Sequence, residues 1–507
     1  MKHLGKMLTG IVAALASVAM AFALAPAALA ADATTNSLTV NNTGETPHTF
    51  ELYQIFTGDL KDGTLSNVQW GSGVTKDGQT DLGTASNKAE SLKEETDAIA
   101  FGKEVDQYLT NPTTSTKVAA GGSYKFDNLS AGYYLVKDKD DSQQTSEAGK
   151  NSVYTRYIIQ VVGAVNQDTK LSVPSVEKKV QEKNDSTGVT TGWQDAADYD
   201  IGDNIPFQLT GKLPANYDKY KTYKYQFNDT PSAGLTYNDD AKVYVDNGPG
   251  KRTEITGSFT TTQSNGVITF TCNDLKAIEG AGITKGSSIV VEYTAKLNDK
   301  AVIGSAGNPN KVSLTYSNNP NYTGEGANSP TGDTPEDKVI VFTYQTIVNK
   351  VDQSRKALKG AAFTLQKKVK KTDGTTEWQD VKTIEAGETT TFTFAGLDDG
   401  DYKLIESATP SGYNTIAPIE FSIKADFDNN SDDPKLHTLN GVDSSGVVTF
   451  TPDTEKGSVT TDVVNKSGSV LPSTGGMGTT VLYVGGAVLA VVACVGLAIR
   501  HNKRQNA

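Results

Sequence analysis

Apolar and polar residues alternate along most of this chain, the pattern of strands that bury one face. Ser37-Leu38-Thr39-Val40 and Phe50-Glu51-Leu52-Tyr53-Gln54-Ile55-Phe56 keep a period of two, as do 124–138 and 154–162. The same period returns in PSVEKKV (174–180), SSIVVEYTAKL (287–297) and NKVSLTYSNNP (310–320), with a Tyr-rich KYKTYKYQFNDT at 219–230 and a further strand at 339–344. Only the stretch 88–109 changes to helical spacing, and it predicts one short helix. Residues 318–335 carry turn chemistry alone and predict a long surface loop. Short strands with Gly, Asn and Asp between them imply sandwiches. The expected fold class is therefore all-β, three tandem Ig-like β-sandwich domains with the helix in the first.

Two apolar runs break the alternation, one at each end. Lys2, His3 and Lys6 precede the run 8–24, and Ala28-Leu29-Ala30 supplies small residues for signal-peptide cleavage between Ala30 and Ala31. At the other end the run 481–499 would make a helix about 28 Å long, the thickness of a bilayer's hydrocarbon core. Arg500, Lys503 and Arg504 follow it, as cytoplasmic charge does. Just before the span stand Leu471, Pro472, Ser473, Thr474 and Gly475. Pentapeptide, span and basic tail in that order resemble the cell-wall sorting signal of Gram-positive surface proteins, which a sortase cleaves between Thr and Gly, here Thr474 and Gly475. A plain membrane anchor is the simpler reading of the span alone.

The chain divides accordingly into a signal peptide (1–30), an N-terminal domain (31–170), a middle domain (171–343), a last domain (344–466) and the sorting signal (467–507), in line with domains of about 150 residues. The net charge of −12 excludes a nucleic-acid partner, since phosphate binding needs clustered Lys and Arg. Cys272 and Cys494 are the two cysteines, one of them in the apolar span, so no disulfide framework is expected. Four histidines, at 3, 48, 437 and 501, are too scattered for a metal site. The acidic turn 425–434 lacks the Gly and the terminal acid of a calcium loop. Neither a metal nor a cofactor is expected. No G-x-S-x-G or H-E-x-x-H motif is present.

An internal repeat links the first and last domains. Phe126, Leu129, Gly132 and Tyr134 match Phe394, Leu397, Gly400 and Tyr402 in the pattern F-x-x-L-x-x-G-x-Y, read as a strand, a tight turn and a strand whose aromatic enters the core. Lys350-Val351-Asp352, Leu358-Lys359-Gly360-Ala361-Ala362-Phe363, Tyr402-Lys403-Leu404-Ile405-Glu406 and Val463-Val464-Asn465 resemble the collagen-adhesin type B domain of Gram-positive pilins. The segment carrying VEKKV, FNDT and NKVSLTY resembles the type A middle domain of major fimbrial subunits. Together with both ends, the resemblance to a sortase-assembled backbone pilin covers nearly the whole chain.

That family carries internal Lys-Asn isopeptide bonds. The resemblance implies Lys178 joined to Asn310 with Asp229 as the promoting acid, and Lys350 joined to Asn465 with Glu406. The residues themselves allow the chemistry. Val176, Lys178 and Val180 alternate, so the lysine shares a face with two valines. Burial neutralises an amine and protonates a carboxyl, giving a nucleophile beside an acid that can polarise an Asn carboxamide. Lys179 is the register competitor. Asp138 falls where Glu406 falls relative to the shared Tyr, but the opening strand, 37–43, has no lysine, so the first domain should lack such a bond.

The resemblance further implies a second nucleophile, a lysine on the next subunit that takes Thr474 from the sortase. Family pilins set it in Tyr-Pro-Lys-Asn before the middle domain, whereas Lys170 here lies in Asp168-Thr169-Lys170-Leu171. Lys179 and Lys183 are its rivals. The expected product is a structural subunit, not a turnover enzyme, of a wall-anchored surface fimbrium. Its partners would be the sortase, identical subunits in a covalent polymer, minor pilins, peptidoglycan and a host surface ligand. The alternative from another class is a monomeric wall-anchored adhesin for a host glycoprotein or glycan.

Overall fold

The computed structural model describes residues 36–143, 149, 151–169 and 171–468. The signal peptide, the Ala30–Ala31 junction, Lys170, the pentapeptide 471–475 and the span 481–499 lie outside them. Among the described residues no helix is long and apolar enough to cross a membrane.

Among the described residues six sheets form three facing pairs. In the first pair, Asn36–Asn41 lies between Ser123–Leu129 and Ala164–Asp168, opposite a sheet built on His48–Lys61 and Gly132–Asp138. Leu38, Val40, Phe50, Leu52, Phe126 and Tyr134 close the core between them. Two seven-stranded sheets make the second pair. One contains Ser175–Asn184, Asn204–Lys212 and Ser288–Leu297, and the other contains Tyr225–Pro231, Asn308–Ser317 and Asp337–Phe342. Phe207, Leu209, Tyr225, Phe227, Tyr293 and Leu314 fill the space between these sheets. The third pair sets Tyr344–Asp352 and Ser458–Asn465 against Ala362–Lys370, Gly400–Ala408 and Ile419–Phe427. Burying each such Leu or Phe contributes roughly 1.5–3 kcal/mol, which explains why period-two apolar positions decide which face turns inward.

Helix content differs from the single helix expected. Lys76–Asp81, Ala85–Ser91 and Glu95–Val105 are separate helices. Within the one helical stretch read from the sequence, Leu92 leaves helical geometry and Glu94 opens a capping box with Asp97, so the chain restarts instead of continuing. The first helix contains Gly78, where a β-carbon would stand 2.4 Å from Tyr108 Cβ. That close approach requires glycine, and glycine hid the helix from a reading by pattern.

The repeat F-x-x-L-x-x-G-x-Y is not a hairpin. Ser123–Leu129 and Gly132–Asp138 belong to different sheets, as do Thr391–Leu397 and Gly400–Ala408, so each copy carries the chain from one sheet to its facing partner. The tyrosine fixes this crossover. Tyr134 Oη donates to Ser130 O at 2.8 Å, and Tyr402 Oη donates to Asp398 O at 3.1 Å, four residues back in both. The expected loop 318–335 also contains structure: the strand Thr331–Asp333 pairs with Asn308–Ser317. Its start is buried, with Tyr154 N donating to Asn318 O at 2.8 Å, because the first and second sheet pairs meet there.

Candidate crosslinking sites

Lys178 sits in the middle of Ser175–Asn184, flanked on both sides by hydrogen-bonded strands, and its register partner is Leu209. The pleat sends its side chain into the core, where it is fully buried. Its Nζ donates to Asp229 Oδ1 and to Tyr293 Oη, the latter at 3.0 Å. Tyr293 Oη donates in turn to Asp229 Oδ2 at 2.7 Å, and Asn310 Nδ2 donates to Tyr293 Oη at 2.8 Å. Asn310 Oδ1 is buried without a hydrogen-bond partner. The rings of Phe207 and Tyr293 wall the amine, with centroids 5.2 and 5.3 Å from Nζ. Burial pulls the Lys178 amine down from its ordinary range, and Asp229 opposes the shift only in part.

The sheets explain this convergence. Asp229 and Asn310 stand on neighbouring strands of one sheet, where Asp229 pairs with Val312 and Pro231 with Asn310, while Lys178 approaches from the facing sheet. An amide between Lys178 and Asn310 would clip the two sheets together.

The second group is arranged differently. Lys350 lies on Tyr344–Asp352, which runs parallel to Ser458–Asn465, with Asp352 opposite Asn465. Both Lys350 and Asn465 are fully buried. Lys350 Nζ donates to Asn465 Oδ1 and, at 3.1 Å, to Val463 O. Asn465 Nδ2 donates to Glu406 Oε1 at 2.8 Å, and Nζ is 3.9 Å from that same oxygen. Glu406 projects from the facing sheet, and its Oε2 accepts from Ile416 N at 3.1 Å. Burial brings the Lys350 amine down to about 8, with Glu406 resisting. An amide here would bond two adjacent parallel strands within one sheet.

In both groups the same reaction is available. A neutral Nζ adds to the Asn Cγ, its proton passes to the amide nitrogen by way of the acid, directly from Glu406 or through Tyr293 Oη from Asp229, the Cγ–Nδ2 bond breaks, and Nδ2 leaves as ammonia. Tyr293 is a participant that reading the sequence missed. Its signal was weak: an aromatic at a core position of SIVVEYTAKL is indistinguishable from ordinary packing.

Lys179 faces the other way. It is half-buried and pairs with Asp195 at 2.6 Å and Glu177 at 3.1 Å. Lys183 is exposed, 3.9 Å from Asp185. In the first sheet pair, Asp138 is buried and its Oδ1 meets His48 Nδ1 at 2.8 Å, while His48 Nε2 meets Ser152 Oγ at 2.9 Å. An imidazole therefore stands against the carboxylate where the other two groups place an amine. The contacts follow the Asp-His-Ser order of a catalytic triad, but His48 and Asp138 have no solvent exposure, which leaves a substrate no path to the imidazole. In the acidic turn, Asp428 is held by His437 at 2.8 Å.

Buried amine, acid and carboxamide thus stand together in the cores of the second and third sheet pairs, and two of the chain's segments match known domains. Residues 201–320 match the Gram-positive pilin backbone subunit 2, Cna-B-like domain, and residues 345–434 match the prealbumin-like fold domain. The trypsin-resistant surface T6 protein of Streptococcus pyogenes serotype M6 is 29% identical over 271 residues, covering 48% of this chain and 44% of that protein. The chain thus aligns with less than half the length of that relative. The solved T6 backbone pilin of the same serotype, a modular three-domain structure, is 19% identical, covers 87% of this chain and all of its own, and superposes with a TM-score of 0.53. By domain matches and fold, the chain is similar to Gram-positive backbone pilins. These matches fit the backbone-subunit reading rather than the monomeric adhesin.

Proposed function

We propose that this chain is the structural backbone subunit of a covalent, wall-anchored surface fimbrium, and a substrate of sortase rather than a turnover enzyme. Its three domains would be 31–170, 171–343 and 344–466. The middle domain carries the Lys178–Asn310 isopeptide and the last domain the Lys350–Asn465 isopeptide. Sortase cleaves between Thr474 and Gly475 and passes Thr474 to a lysine of the next identical subunit, Lys170 by its place before the middle domain. The final subunit is passed to peptidoglycan, minor pilins join the same polymer, and the finished fibre supports adhesion to a host surface.

The observation that carries this reading is the contact between Lys350 Nζ and Asn465 Oδ1, with Glu406 on the amide nitrogen in a solvent-free core. A buried amine with only a distant carboxylate costs several kcal/mol. Its conversion to an amide removes that cost and bridges strands that a pulling force would otherwise part. The test is electrophoresis of cell-wall extracts. A high-molecular-weight ladder should appear with the parent chain, vanish with Thr474→Ala, and vanish with Lys170→Ala while Lys183→Ala keeps it. A single band from the parent would overturn the polymer reading.

A further inference from the structure

Two groups of three carboxylates meet where the second and third sheet pairs join, built around consecutive residues Asp398 and Asp399. These lie at the turn of the repeat, between Leu397 and Gly400, which docks against the segment 196–203. Asp398 N donates to Asp200 Oδ1 at 2.9 Å, and Ile201 N to Gly396 O at 3.0 Å.

The group of Asp185, Asp200 and Asp398 is compensated. Lys367 reaches its three carboxylates at 3.1, 2.6 and 2.7 Å, and its own side chain is almost fully buried. The other group, Glu182, Asp198 and Asp399, brings one oxygen from each residue within 4.8 Å of the others. Among the described residues no Lys or Arg forms an ion pair with any of these three. Neutral amides touch its rim: Asn184 Nδ2 donates to Asp399 Oδ1 at 2.5 Å, and Gln194 Nε2 to Glu182 Oε2 at 3.4 Å. Asp198 is 1% exposed, and its Oδ2 has no hydrogen-bond partner. The buried Tyr344 hydroxyl stands beside this carboxylate and is turned toward it.

Three carboxylates in a low-dielectric joint repel one another and lose hydration, which is unfavourable unless protons or a cation compensate. The neighbouring group shows the local remedy, a buried positive charge. Three oxygens this close can converge on one ion; calcium accepts irregular oxygen cages at about 2.3–2.6 Å, whereas magnesium demands a near-ideal octahedron at about 2.0–2.1 Å and gives up its waters reluctantly. We propose that Glu182, Asp198 and Asp399 bind one hard divalent cation of the calcium class, which clamps the middle domain to the last. Asp198 and Glu182 supply oxygens from the middle domain, and Asp399 closes the site from the repeat turn of the last. The ion does for this group what Lys367 does for the other.

The test titrates calcium chloride into the full chain after chelator treatment, at neutral pH, by isothermal calorimetry and thermal unfolding. One calcium per chain and a rise in the unfolding midpoint are expected. Asp198→Asn should abolish both effects. In chelator it should be at least as stable as the parent, because removing an uncompensated charge relieves repulsion. Glu182→Gln, at a less buried position, should weaken binding about tenfold or more and serves if Asp198→Asn fails to fold. Asp428→Asn, in the exposed acidic turn, should bind as the parent does. The proposal is overturned if the parent shows neither heat nor a midpoint shift at millimolar calcium, or if Glu182→Gln and every folded Asp198 variant bind calcium like the parent.

Discussion

Lys350 Nζ donates its hydrogen bond to Asn465 Oδ1, the atom that takes up negative charge when the amine adds to the neighbouring Cγ. The acid is on the other end of the same amide, 2.8 Å from Nδ2, the nitrogen that must leave. Nucleophile and proton donor thus address opposite atoms of one carboxamide, the division of labour that general acid catalysis needs.

Changing Glu406 should therefore stop the bond without removing either partner. For Glu406→Ala the intact mass is expected to fall one ammonia, not two, below the mass of the variant's own sequence, with the Lys350 and Asn465 peptides recovered separately. A crosslink joining strands this far apart in sequence closes a loop of about 100 residues, worth on the order of 4–5 kcal/mol by loop-closure entropy. Thermal unfolding of the variant should show a loss of that order. A loss of two ammonia molecules from the variant's sequence mass would sink the assignment.

In the middle domain the roles divide three ways. Asp229→Ala should abolish the Lys178–Asn310 bond, because among the described residues no other carboxylate forms an ion pair with the buried amine. Tyr293→Phe keeps the ring against Phe207 but removes the hydroxyl that links Asn310 to Asp229. It should leave a mixture of crosslinked and open chains, read as two masses in one spectrum. Complete crosslinking in Tyr293→Phe would reduce the hydroxyl to packing.

Much of this was legible in the chain, for identifiable reasons. Period-two alternation selects Lys178 over Lys179, and the structure places the first at 0% exposure and the second against Asp195. Strand existence was legible wherever one face is buried. The repeat was legible as residues but not as geometry: a hairpin and a sheet-to-sheet crossover use the same turn, and only the pairing partners distinguish them. Tyr293 was hidden because an inward tyrosine needs no function. The joint carboxylates were hidden because Glu182, Asp198 and Asp399 come from separate stretches, each unremarkable on a strand end or turn.

The Lys350 amine makes a prediction about pH. In Asn465→Ala the amine stays free, ordinarily titrating at 10.5 and brought to about 8 in the fold by burial. Between those values the unfolded chain binds the extra proton, so stability must rise with pH across that window and be flat below it. The expected slope approaches about 1.4 kcal/mol per pH unit. The parent, with its amine consumed, should lack this increment, and so should Asn465→Ala combined with Lys350→Met, while Lys103, also brought down to about 8 by burial, contributes alike to all three. Unfolding midpoints from pH 7.5 to 10 decide it; an Asn465→Ala curve parallel to the parent's would mean the amine is not desolvated.

The joint between the middle and last domains offers the sharpest contrast between a buried and an exposed charge. Burial alone would pull the Lys367 amine down, but Asp398, Asp200 and Asp185 outweigh it and hold the amine well above its ordinary range. Lys367→Met keeps most of the stem's packing and strands three carboxylates, an uncompensated burial that typically costs 3–5 kcal/mol. Its neighbour Lys368 pairs with Asp401 at 3.3 Å on a partly exposed surface, where such pairs contribute about 0–1 kcal/mol. Lys367→Met should therefore lower the unfolding midpoint markedly and open the joint to limited proteolysis near residue 398, while Lys368→Met should do neither. Equal effects from the two would mean that the joint is held by the Ile201–Gly396 packing and its backbone bonds, with the buried charge incidental.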